Sequence, residues 1–281
     1  MNTADFTVAN PQNLATSSEG LVLQLTAPAS GLQQDPGTGT RISSTSYMLY
    51  GRFSARVKAG APGGMVTSFI SMSDSKDEID WEIVGGNDNN IGQSNFFLKG
   101  VVDYSNSGKH NLPGLASAQF NDFTVDWNKD RIQWILNGKV VRTVYSNNST
   151  NYPNTPSRIQ FAVWDGGNGA EGTRNWAGGY IPWTQSAYTA TFSSITIQCP
   201  GDTAPTTTPA RVSGYIKPTL QDREIKVAVP GLSGYLGSEN GGNPNEIPRS
   251  GSEKGTGISL SNAQFATASV ALVILSIISL I

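Results

Sequence analysis

The chain is poor in the residues on which several kinds of chemistry depend. Cys199 is the one cysteine in 281 residues, so no disulfide forms within the chain. His110 is the one histidine, which excludes histidine-rich metal sites and leaves a Ser-His-Asp triad only if His110 itself serves it. Its neighbours, Gly108-Lys109 and Asn111-Leu112-Pro113, read as a loop, and His110 as a surface residue. Charge is also scarce. The 19 Lys and Arg stand against 21 Asp and Glu, a net charge of −2, without the clustered basic surface that nucleic acid demands. Neutral polymers are the better match. No basic and apolar leader opens the sequence, which predicts that the true N-terminus lies upstream, and no segment before residue 199 has the periodicity of a three-turn helix. Asn87-Asp88-Asn89-Asn90 is rich in oxygen donors but lacks a metal-ligand spacing, so neither a cation nor a cofactor is expected.

What is present divides at residue 199. Residues 1–199 are rich in aromatics, Thr, Val and Ile with turn residues at short intervals, and read as one folded domain. The clearest local signal is Asn137-Gly138 between Arg131–Leu136 and Lys139–Tyr145, a two-residue hairpin turn between strands. Further strands are expected over 50–58, 65–72, 78–84, 94–98, 123–127, 158–164 and 188–198. Many short strands at such spacing predict an all-β, concanavalin-like β-jelly roll sandwich, followed by a disordered tail. Residues 200–262 read as a low-complexity linker rich in Pro, Gly, Ser and Thr, and 263–281 as an apolar tail. Small residues at Ser250, Gly251 and Ser252, a polar spacer and that tail match a glycosylphosphatidylinositol signal, with Ser250 as the attachment site and Gly255 nearly as good; an ordinary C-terminal membrane anchor is the alternative. Either places the protein on the secretory route, at the outer face of the plasma membrane and the cell wall. Overlapping sequons at Asn147 and Asn148 fit that route. A monomer is expected.

The most informative stretch is Asp77-Glu-Ile-Asp-Trp-Glu82. On a β-strand, Glu78, Asp80 and Glu82 share one face while Ile79, Trp81 and Ile83 share the other. Neighbouring like charges oppose one another's ionisation, so the pattern is unfavourable for a purely structural strand. An acid-rich edge strand is the bland alternative, and the regular apolar face argues against it. Cleaving a glycosidic bond with retention uses one carboxylate as nucleophile and one carboxylic acid as proton donor, about 5–5.5 Å apart, and a third acid between them keeps their pKa values separate. Strand residues four apart have Cα atoms about 13 Å apart, so the Glu side chains must lean together.

Six tryptophans accompany the acids. Trp127 and Trp134, inside strands, read as core. Trp164 precedes Asp165-Gly-Gly167, and Trp176 and Trp183 flank Ala177-Gly-Gly179; these suit rings that stack on the C–H face of a pyranose.

Taken in order over roughly residues 5–199, the chain resembles glycoside hydrolase family 16, and within it the fungal Crh-type cell-wall transglycosylases. The matching pieces are Tyr50-Gly-Arg-Phe53 leading to Val57-Lys-Ala59, the acidic strand followed by Gly85-Gly86, Gln93-Ser-Asn-Phe-Phe-Leu-Lys-Gly100, and Phe123-Thr-Val-Asp-Trp127. Ile132-Gln-Trp-Ile-Leu-Asn-Gly138 with Val141-Arg142, Thr155-Pro156, Trp164, Gly172-Thr173 and Trp176-Ala-Gly-Gly179 complete them. The resemblance implies that Glu78 is the nucleophile, Glu82 the general acid and then base, and Asp80 the helper. It further implies substrate contacts from Glu82, Gln160, Trp164 and Thr173, with Gln93, Asn95 and Trp176 beside them. Such enzymes cut chitin and pass the glycosyl unit to β-glucan, cross-linking the wall. The sequence departs from the pattern at Pro182, where an acidic residue is common, and in having no cysteine-rich chitin-binding module; the leader and first strand are expected upstream. A β-1,3(4)-glucan endohydrolase is the alternative, since the same acidic strand serves hydrolases, and a non-catalytic lectin-like glycan-binding domain a more distant one.

Overall fold

A computed structural model describes residues 5–200 and 224–228. The linker, the apolar tail and Ser250 lie outside the described residues. Fifteen strands form among those described: β1 Phe6–Ala9, β2 Leu14–Ser17, β3 Gly20–Thr26, β4 Thr40–Ser44, β5 Gly51–Lys58, β6 Met65–Ser73, β7 Glu78–Val84, β8 Ile91–Phe97, β9 Gly108–Asn111, β10 Asn121–Trp127, β11 Arg131–Leu136, β12 Lys139–Tyr145, β13 Ser157–Asp165, β14 Ala187–Gln198 and β15 Glu224–Ala228. All pair antiparallel into two sheets. One runs β1-β4-β13-β6-β7-β8-β9, the other β12-β11-β10-β5-β14-β3-β2, with β15 on β14. The jelly-roll sandwich expected from the sequence is therefore the fold.

Alternation decides which side chains fill the space between the sheets. Ile79, Trp81 and Ile83 of β7 are buried there against Phe53, Phe69, Phe123 and Trp134. Trp81 meets Phe123 edge to face at 5.2 Å, and Phe53 meets Phe69 in the same way. The indole N–H groups of the three fully buried tryptophans each find a carbonyl. Trp81 Nε1 donates to Thr124 O of β10 at 3.0 Å, Trp134 Nε1 to Asp80 O of β7 at 2.8 Å, and Trp127 Nε1 to Pro153 O at 3.2 Å. The first two cross the sandwich in opposite directions.

The hairpin at Asn137-Gly138 has positive φ at both residues, 48° and 79°, and joins β11 to β12 with Leu136 opposite Lys139. The loop expected around His110 is instead β9: His110 is half-buried, pairs with Gly92, shares a hydrogen bond with Ser94 Oγ at 2.9 Å and packs edge-on against Trp81. Burial first, and then Arg142, lowers its pKa. The only α-helix among the described residues is short, α1 at Glu171–Ala177, closed by Gly178 in the left-handed conformation.

Asp77, the first acid of the motif, points away from the other three. It is fully buried, and its carboxylate accepts from Lys99 N at 2.9 Å, Asn154 N at 2.9 Å, Thr155 N at 3.0 Å and Thr155 Oγ1 at 2.6 Å. One side chain thus ties the start of β7 to the chain after β8 and the approach to β13. Asp77→Asn sets an amide N–H against those donors. The expected loss is about 3 kcal/mol, read as a fall in Tm of about 6–12 °C by calorimetry.

Candidate active site

Register carries β7's acidic face across its sheet. Glu78 lies opposite Met72 of β6 and Phe97 of β8; Asp80 opposite Ile70 and Asn95; Glu82 opposite Ser68 and Gln93. On β13 the same rows continue as Arg158, Gln160 and Ala162, with Trp164 one row further on, beside Val66 and Val84. A cleft of about 430 Å³ lies over this face. Of the residues singled out in the sequence, Glu78, Asp80, Glu82, Gln93, Asn95, Trp164, Thr173 and Trp176 line it. Gln160 shares the face, in the row of Asp80, but is not part of the lining.

The cleft's aromatic wall comes from β13 and α1. Trp164 and Trp176 are stacked, centroids 6.0 Å apart and planes 25° apart. Trp176 Nε1 donates to Gln93 Oε1 at 2.9 Å, which turns the Gln93 amide so that Nε2 is left without a partner. Trp176 sits on α1 rather than in the glycine loop expected for it. That loop sets the helix instead. Ala177 O accepts from Gly64 N at 2.7 Å, and Gly64, at φ +87°, is so close that a Cβ there would meet Gly179 O at 2.6 Å. A Cβ on Gly85, just beyond β7, would meet Pro62 O at 1.9 Å. Trp183, expected at the ligand, lies elsewhere: its ring packs over Gly37 and beside Tyr188, against the core. The glycines that place one tryptophan in the cleft leave the next, seven residues on, outside it.

Phe97, Tyr104, Ser107 and Lys109 also line the cleft and were not singled out in the sequence. Phe97 continues the alternation of Gln93 and Asn95, and Lys109 pairs with Gln93 across β8 and β9. Tyr104 and Ser107 come from irregular chain and have no local signature. Asn147 and Asn148 are exposed in the turn after β12.

Burial dominates the electrostatics. Asp80 is 2% exposed, and burial, then the charges of Glu78 and Glu82, hold its carboxyl well above the ordinary range. Burial pushes Glu78 up to about 7, against a hydrogen bond from Asp80 and the charge of Lys76, which lower it. Glu82 is pushed up to about 8, by burial and then by Glu78. Glu78 is therefore the first of the two glutamates to ionise. Buried polar atoms at this face without a partner include Asp80 Oδ1, Gln93 Nε2, Gln160 Oε1 and Thr173 Oγ1. Each such atom costs about 1–3 kcal/mol until something bonds to it, so the face is built for a ligand rich in hydroxyl and amide groups.

Because these pKa values are raised, the folded chain keeps protons that the unfolded chain has released. Stability from this strand is complete below about pH 4, where both states are protonated, and is lost as pH rises through about 8. Glu82→Gln removes one such group. Its Tm relative to the parent is expected to rise steadily from pH 4.5 to 8.5 in calorimetry; a difference that does not vary with pH contradicts these shifts.

Comparison with known proteins agrees with this geometry. The family model for Glycosyl hydrolases family 16 matches residues 2–185. Crh-like protein 2 of Aspergillus fumigatus is 38% identical over 177 residues, 57% of this chain and 40% of that protein. Crh-like protein UTR2 of Candida albicans is 43% identical over 155 residues, 52% of this chain and 33% of that protein. The chain thus spans less than half the length of these relatives. Among solved structures, a Crh5 transglycosylase in complex with NAG superposes with a TM-score of 0.60 at 27% identity, over 70% of this chain and 85% of that one.

Proposed function

The chain belongs to glycoside hydrolase family 16, and from that premise we propose that it is a retaining transglycosylase that cleaves chitin and transfers the glycosyl unit to β-glucan, cross-linking the fungal cell wall. The observation that carries the reading is that Glu78, Asp80 and Glu82, on one face of one strand, line a cleft with a stacked tryptophan wall.

In the first step a Glu78 carboxylate oxygen attacks the anomeric carbon. The glycosidic C–O bond breaks, and Glu82 gives its proton to the leaving oxygen, so a glycosyl ester of Glu78 forms and Glu82 becomes a carboxylate. In the second step Glu82 takes the proton from an acceptor hydroxyl, whose oxygen displaces Glu78. Water at that point gives hydrolysis, a sugar hydroxyl gives transfer. Asp80, whose carboxyl burial and both neighbours hold well above the ordinary range, hydrogen-bonds to Glu78 and lowers the Glu78 pKa. The unpartnered Gln93 Nε2 and Thr173 Oγ1 bond the sugar in the cleft, the Trp164–Trp176 pair stacks on its C–H face, and Asn95 lies beside them. Gln160, outside the lining, supplies Oε1 once a longer chain extends along the sheet. The similar Crh5 transglycosylase is in complex with NAG, which supports a donor built of such units, as in chitin; β-glucan as acceptor rests on the sequence resemblance.

Residues 1–199 form the catalytic unit in this reading, and 200–262 and 263–281 its linker and anchor signal. Attachment at the cell surface through Ser250, N-glycans at Asn147 or Asn148, and a monomeric enzyme belong to the same proposal and rest on the sequence alone.

The full chain, incubated with chitin oligosaccharide and a fluorescent β-glucan oligosaccharide, is expected to move label into larger products, and Glu78→Gln to abolish this by at least about 10³-fold. Shorter chitin sugars without labelled adducts would identify a hydrolase, and cleavage of β-glucan alone would favour the endoglucanase. In kcat/KM the free enzyme is expected to show a bell with limbs near about 7 and about 8, set by Glu78 and Glu82. Asp80→Ala removes the hydrogen bond that lowers Glu78 and is expected to move the acid limb upward. An unmoved limb would assign it to another group.

A further inference from the structure

The cleft contains one large side chain that the chemistry above leaves unused. Tyr104 stands on the turn Tyr104–Asn106, in the chain between β8 and β9, lines the cleft, and is 58% exposed. The turn beneath it is braced from three directions. Asp103 Oδ1 accepts from Ser105 N at 3.0 Å and from Ser105 Oγ, Asn151 Nδ2 reaches Asp103 Oδ2 at 3.4 Å, and the Arg142 guanidinium donates to Asn106 O. Arg142 is itself fixed, bonded to Ser94 O at 3.0 Å and lying over the Trp134 ring at 4.7 Å. A solvent-facing ring on so constrained a turn is presented in advance, and a ligand that stacks on it has little ordering to bring about.

Its place relative to the acids gives it a use. The chain leaves β8 just after Phe97, which lies opposite Glu78, and runs to Tyr104. Trp164 belongs to β13, on the other side of β7 from β8 and β9, where Lys109 continues the row of Gln93 and Glu82. The acidic strand thus runs between two aromatic walls of different character. At the tryptophan wall, buried Thr173 Oγ1 and Gln93 Nε2 await partners and so demand particular substituents. At the other wall an exposed ring stands with Ser107 and Lys109 and demands only a flat C–H face. Double displacement needs a place whose occupant changes while the glycosyl-enzyme waits, and the exposed wall meets that requirement. β-Linked glucose, with its substituents equatorial and no N-acetyl group to be read, fits such a surface.

We infer that Tyr104 is the acceptor platform, stacking on a β-linked glucan so that its hydroxyl, rather than water, reaches the glycosyl-enzyme. This rests on the transglycosylase reading and deepens it.

The test is the ratio of transfer to hydrolysis at a fixed concentration of β-glucan oligosaccharide. That ratio is set after the glycosyl-enzyme forms, so neither donor binding nor the folded fraction alters it. Tyr104→Ala is expected to lower it about tenfold, the scale of one aromatic contact, and Tyr104→Trp to restore it. A ratio within about twofold of the parent's in Tyr104→Ala overturns the inference. Should the parent give no transfer product, the transglycosylase reading fails instead. Calorimetric binding of β-glucan oligosaccharide to Glu78→Gln, with and without Tyr104→Ala, then decides: about tenfold weaker binding keeps Tyr104 as a glucan platform, and equal binding removes it.

Discussion

Two indole N–H groups crossing the sandwich in opposite directions hold the acidic strand in place. Trp81 reaches from β7 to the carbonyl of Thr124, and Trp134 reaches from the opposite sheet to the carbonyl of Asp80. Both rings are fully buried, so either bond, if lost, leaves an indole donor without water to replace its partner. The separation of the sheets and the height of β7 are therefore fixed at the central acid. Arg142 extends the arrangement outward, its guanidinium lying over the Trp134 ring and bonded to the backbone of β8 and of the Tyr104 turn. The cleft's floor and one wall thus share a single buried framework.

That framework makes the electrostatics unavoidable. Three carboxyls on one face of a buried strand cannot all ionise, since burial and mutual repulsion act in the same direction. What separates Glu78 from Glu82 is small: a hydrogen bond from Asp80 and the charge of Lys76 favour the ionised form of Glu78 alone. Asp77 shows the contrast. One position earlier, and pointing inward, it accepts four hydrogen bonds and serves only to anchor the strand.

Alternation made most of this legible. It identified β7 residue for residue and placed Ile79, Trp81 and Ile83 in the core, and the Asn137-Gly138 turn fixed the β11–β12 hairpin. The strands before residue 45 were not foreseen, although Leu21, Leu23 and Leu25 are buried at period two. β3 and β4 are fixed by β14 and β13, more than a hundred residues away, and β2 and β1 pair onto them. Long-range pairing also explains the errors at His110 and Trp183. His110 is in a strand because β8 offers it an edge, and Trp183 is on the core because Gly37 leaves room for its ring. Trp176 lines the cleft, but the glycines beside it press a helix end against β6 and β7 rather than shaping a loop around a sugar. Tyr104 had no pattern to betray it, since its position depends on Asp103, Arg142 and Asn151 meeting from three parts of the chain.

In the proposed double displacement the acids alone do not decide between water and sugar, because both would reach the glycosyl-enzyme through the same proton transfer to Glu82. The decision belongs to whatever raises the local concentration of a sugar hydroxyl above the effective competition of water. A bound acceptor turns its attack into a unimolecular step, and correct placement is worth far more than any change in the carboxylates. The walls are therefore where hydrolase and transferase diverge on this fold. One is held by glycines too close to accept a side chain, the other by an arginine rooted in the core, so each stands in position before any substrate arrives. A cleft in which both walls are preset meets the geometric condition for transfer: the acceptor is ordered by surfaces that have already given up their own freedom, while water must find the same carbon unaided.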